Sequence, residues 1–131
     1  MIAKGERVLK VSVKGSQDGG WGLSQSQLSK LRQANYHGAA DEWLVKHKKG
    51  TALCLVQFQG VLDHELPRLY LAWPGEIAKR LKEASGGRGD TILYEDYTRG
   101  PKAAGAGTRE ILPKEWRMSR ERVEVLLSNP L

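Results

Sequence analysis

Lys14 is the residue whose placement most invites chemistry. It closes Arg7-Val8-Leu9-Lys10-Val11-Ser12-Val13-Lys14, whose valines and spacing of apolar residues suit a half-buried strand, and Gly15 turns the chain directly after it. A cation fixed at a strand end can meet a phosphate or help to handle a proton, although many ordinary strands also end this way. Other groups with usable chemistry stand nearby: Lys10, the hydroxyls of Ser12 and Ser16, and then Trp21, Lys30 and Arg32. If the first helix packs beside the strand, Lys4, Arg7, Lys10, Lys14, Lys30 and Arg32 share a face. Phosphate contacts from such a face give affinity that falls steeply with salt and carries no sequence choice. Trp21, in a glycine-rich loop, is placed either to stack on a nucleobase or to fold back over the strand as a lid on the core.

The remaining constellations fit no reactive pattern. His37, His47, His64 and the single cysteine, Cys54, have no zinc-ligand spacing, and Cys54 lies in an apolar run that suits a buried thiol. Asp41 and Glu42 are adjacent and point to different helix faces, and Asp63 and Glu65 flank His64 in a connection. No serine stands in a nucleophile-elbow motif, and the glycine-rich stretches lack the strand-then-helix setting of a phosphate loop. No metal ligand is assigned.

Val11-Ser12-Val13-Lys14-Gly15-Ser16 resembles the third core strand of the PD-(D/E)XK nuclease superfamily, in its restriction-endonuclease-like and Holliday-junction-resolvase-like members. That strand often reads hydrophobic, Gln or Glu, hydrophobic, Lys, then small polar residues. The resemblance puts Lys14 at the catalytic lysine and Ser12 at the metal-binding acid. It implies an α/β fold with a mixed sheet flanked by helices, DNA as partner with RNA second, and Mg²⁺ as cofactor, the metal polarising a phosphate and activating water. Residues 53–60 and 89–95 also look like parts of such a protein. The chain departs from the pattern twice. Ser12 is neutral, and the residues before position 7 leave no room for the helix and strand that carry the first acid. The expectation is therefore a restriction-endonuclease-like core lacking its first helix and strands, with incomplete carboxylates and hydrolysis residual or lost.

Size and composition set the frame for these residues. The 131 residues suit one domain, with 40% hydrophobic and 27% charged residues. Net charge is +6 and the pI is near 9.6, which favours acidic partners, nucleic acid first. No apolar run reaches the length of a membrane span, so no membrane partner is expected. One cysteine allows no disulfide within the chain, and a cytoplasmic setting is expected.

The elements that must position the site follow from local signals. A strand is expected over 7–14 and a helix opened by Ser24 with a Ser24–Gln27 capping box. A second helix is expected over 38–48, with Lys46, Lys48 and Lys49 suited to its C-terminal dipole and Gly50 as its stop. Strands are expected over 52–58, Arg68–Ala72 and 91–94. Between the last two, a helix starts at Pro74 and buries Ile77, Ala78, Leu81 and Ala84. Residues 98–108 suit a flexible loop, and Ser119 caps a last helix with Val123, Leu126 and Leu127 inward. The unpaired edge of the first strand suggests a homodimer. The leading functional expectation is a nucleic-acid-associated protein of nuclease descent, with Lys14 and Ser12 as its catalytic remnant and Lys10, Ser16, Trp21, Lys30 and Arg32 as its nucleic-acid contacts. The competing expectation is a non-enzymatic protein-interaction module that binds an acidic partner.

Overall fold

The computed structural model describes residues 2–5, 7–31 and 34–129, with the backbone alone at residues 3 and 4. The fold is mixed α/β. Its main sheet has the order β1-β2-β4-β5, from β1 (Ile2–Lys4), β2 (Arg7–Ser16), β4 (Thr51–Gln57) and β5 (Arg68–Ala72). The two central strands, β2 and β4, run parallel, and each pairs antiparallel with its outer neighbour. A parallel pair needs a long crossover. Here it consists of β3 (Gly20–Gly22), α1 (Gln25–Ser29) and α2 (Tyr36–Val45).

Each face of the sheet buries its own cluster. Leu53, Leu55, Tyr70 and Ala72 face Trp43 of α2, Ile77 and Leu81 of α3 (Pro74–Glu83), and Trp21, Leu93 and Trp116. Ala52, Cys54, Val56 and Leu71 face Leu126 and Leu127 of α4 (Arg120–Ser128) on the other side. β4 is thus apolar on both faces, as a central strand must be. Burial raises the pKa of the Cys54 thiol and keeps it protonated.

Two small sheets complete the chain. β3 pairs with β6 (Ile92–Tyr94), and β7 (Asp96–Thr98) pairs with β8 (Arg109–Ile111). The glycine-rich stretch read as a flexible loop joins β7 to β8, and Arg99 N–H donates to the Thr108 carbonyl across it (2.9 Å).

Several local expectations shift. The first strand runs on to Ser16, and α2 starts at Tyr36 because the Asn35 side chain caps it, accepting from Gly38 N–H at 2.8 Å. The capping box at Ser24 does not form. The Ser24 hydroxyl makes no hydrogen bond among the described residues, and Gln27 is buried. Pro74 does open its helix, with the Glu76 carboxylate accepting from Trp73 N–H at 2.9 Å, and Ser119 does cap α4, accepting from Arg122 N–H at 3.0 Å.

Candidate phosphate-binding site

Alternation along β2 puts Lys10, Ser12, Lys14 and Ser16 on one face, in register with Thr51, Leu53, Leu55 and Gln57 of β4. Leu53 and Leu55 belong to the cluster under α2 and α3. The polar stripe of β2 therefore rims that cluster at the side of the sheet.

The C-terminal end of α2 reaches the same place. Lys46 caps the helix, and His47 N–H still donates to the Leu44 carbonyl (3.1 Å). Gly50, with φ +78, takes the left-handed turn that most side chains resist, and Thr51 N–H donates to the Lys48 carbonyl at 3.3 Å as β4 begins. This tight return holds residues 46–49 beside Thr51, and hence beside Lys10. The result is a cavity of about 440 Å³ lined by Lys10, Ser12, Lys46, His47, Lys48, Lys49 and Thr51.

Four lysines line it, and no carboxylate does. None of the four makes an ion pair with a described residue, in contrast with cations elsewhere. Lys82 pairs with Asp41 at 2.5 Å, Arg99 with Asp90 at 2.7 Å, Arg109 with Asp96 at 2.7 Å and Arg122 with Glu76 at 2.8 Å. His47 adds a directed group. Its Nδ1 lies 2.7 Å from the Trp43 carbonyl oxygen, which can only accept, so Nδ1 carries the proton.

A second cavity of about 480 Å³, lined by Arg68, Tyr70, Glu95, Lys114 and Arg117 among others, is electrostatically different. Arg68 donates to Glu95 at 2.7 and 3.0 Å, the Tyr70 hydroxyl also donates to Glu95, and Arg117 lies over the Tyr70 ring at 5.5 Å. Two carboxylates, Glu95 and Asp96, line it beside its cations and offset their attraction for an outside anion.

The sequence candidates divide between these surroundings. Lys10 and Ser12 line the cationic cavity. Lys14 is exposed further along the same face, and Lys30 is exposed at the end of α1; neither lines the cavity. Ser16 is buried and its hydroxyl donates to the Gly20 carbonyl at 2.6 Å, which holds the turn after β2. Trp21 takes the lid position rather than the rim. It is 3% exposed, its indole N–H donates to the Lys14 carbonyl at 3.1 Å, and its ring packs edge-on against Tyr70. No face of the ring is free for a base. Arg32 lies outside the described residues.

The donor set does not fit Mg²⁺, which takes oxygen ligands and is usually held by carboxylates. Ser12 and Lys14 face Leu53 and Leu55 across the ladder, and the cavity beside them is cationic. Among the described residues no group of three or more His, Cys, Asp or Glu is placed to hold a metal ion. Sequence reading missed Lys46, Lys48, Lys49, His47 and Thr51 as partners of Lys10. The signal was present as three lysines within residues 46–49 ahead of a glycine, read only as helix-end cations. No family model, curated protein or solved structure matches the chain. No helix among the described residues is long and apolar enough to cross a membrane.

Proposed function

We propose that this protein binds the phosphates of a nucleic acid at the cavity between β2 and the end of α2. The observation that carries the reading is that Lys10, Lys46, Lys48 and Lys49 line one cavity without a carboxylate or an ion-pair partner among the described residues. Ser12 and Thr51 supply hydroxyl donors beside them, and Lys14 extends the same face along the strand. Unneutralised lysines that release condensed counterions are the usual source of such affinity, and the net charge of +6 draws a polyanion towards the surface. The reading includes no hydrolytic step, because a metal-assisted attack needs carboxylates that Ser12 and its neighbours do not provide.

The test is anisotropy of labelled oligonucleotides at about 50 and 200 mM salt, where a few phosphate contacts already change affinity by orders of magnitude. Binding that weakens steeply with salt is expected. Lys48→Gln and Lys49→Gln should each weaken it and lower the log–log salt slope by about 1. Absence of binding at the lower salt would overturn the proposal, as would variants that leave the slope unchanged.

A further inference from the structure

An apolar cavity of about 460 Å³ adjoins the cationic one and shares His47, Lys48 and Lys49 with it. Its other walls are Leu44 and Val45 from α2 and Trp73, Pro74 and Gly75 at the start of α3. Ligand sites of this size are typically apolar with a few placed polar groups. Val45 is 83% exposed at the mouth, so an apolar side chain stands in water there. Trp73 is 3% exposed, and its indole N–H has no hydrogen-bond partner among the described residues. A buried donor without an acceptor is uncommon in a folded protein.

We infer that the two cavities form one amphipathic site for single-stranded nucleic acid, with phosphates over the lysines and one unstacked base in the apolar cavity. The inference rests on the phosphate-binding reading and extends it. A nucleotide carries an anion and a flat apolar group on one short frame, and two adjoining cavities that share three residues offer the matching pair of surroundings. The bases of a duplex are paired and stacked, so a duplex can engage only the lysines. In a single strand the base is free to leave the stack and be buried. His47 lines both cavities and so stands at their junction, with Nδ1 committed to the Trp43 carbonyl.

Gly75 makes the inference testable without touching a lysine. Gly75 lines the cavity, and a Cβ built there meets nothing within 4 Å, so a larger side chain adds bulk at that wall without displacing the core. Three labelled probes of similar length separate the terms: a thymidine oligomer, its abasic counterpart and a duplex. The wild type is expected to bind the thymidine oligomer about tenfold more tightly than the abasic strand, the gain from burying a single base. Gly75→Leu should remove that preference and leave the salt slope intact, and the uncharged Val45→Gln at the exposed mouth should act likewise. Equal affinity for thymidine and abasic strands, with a normal salt slope, would overturn the base site and leave the phosphate reading standing. Loss of salt-dependent binding to all three probes would overturn both. Tighter binding to vesicles of anionic phospholipid than to any oligonucleotide would assign the apolar cavity to acyl chains and overturn the inference.

Discussion

Glu95 shows how a single carboxylate can set the acid limit of this fold. Burial alone would raise its pKa, but the Arg68 guanidinium and the Tyr70 hydroxyl both donate to it and outweigh burial, holding it below its ordinary value. Its backbone links the small sheets as well, since Glu95 N–H donates to the Gly19 carbonyl at 2.9 Å and its own carbonyl accepts from Leu112 at 3.0 Å. A group that binds protons less tightly folded than unfolded stabilises the fold above its unfolded pKa, about 4.3 for Glu, and loses that contribution as pH falls through the folded value. Urea unfolding should therefore show stability declining below about pH 4. Glu95→Gln should cost about 1.5–3 kcal/mol at pH 7, as expected for hydrogen bonds to a charged group, and much less near pH 3. An equal loss at both pH values would show that the carboxylate charge is not the cause.

Among the elements, α4 depends on one buried arginine. Arg122 is 6% exposed; its Nε donates to the Leu71 carbonyl at 2.8 Å and its Nη2 to Glu76 at 2.8 Å. The same Glu76 oxygen accepts from Trp73 N–H, so one residue ties α4 to the end of β5 and to the first turn of α3. Arg122→Ala should lower stability by about 2–3 kcal/mol, from lost charged hydrogen bonds and a carbonyl left without its donor. Arg122→Lys should recover little, because one ammonium cannot reproduce the fork that reaches two acceptors. The measurement is the urea midpoint at constant m-value. Full rescue by lysine would mean that charge alone matters.

The same comparison of local and distant contacts explains what could be read in advance. β5, the Pro74 start of α3 and the Ser119 cap were legible because their signals lie within a few residues. β6 was legible as the strand over 91–94, but its pairing with β3 joins segments far apart in sequence, and β3 has only three residues and no periodicity to detect. The cationic cavity was illegible for a related reason. Lys10 and the lysines after α2 meet only through the parallel register that sets Lys10 against Thr51, and a register of this kind is a property of the folded sheet.

At the scale of the whole molecule, the open side of the main sheet remains. β1 covers residues 7–9 of β2, and among the described residues no strand pairs with 10–16 on that side. Val13, on this stretch, is 65% exposed. A strand edge in this state is a template for another chain, and a second copy laid antiparallel along it satisfies both edges with one two-fold axis. Lys10 and Lys14 oppose that pairing, because each copy brings its own lysines to the seam. Salt screens such repulsion, with a Debye length of about 8 Å at physiological ionic strength. The dimer expected by light scattering at micromolar concentration should thus tighten as salt rises, while nucleic-acid binding weakens over the same range. Val13→Lys adds a further cation to the seam without entering the core, and should yield a monomer with an unchanged melting temperature when compared at equal monomeric dilution. A wild-type chain that stays monomeric in high salt would overturn the edge dimer, and the opposite signs of the two salt effects keep that outcome separate from any loss of nucleic-acid binding.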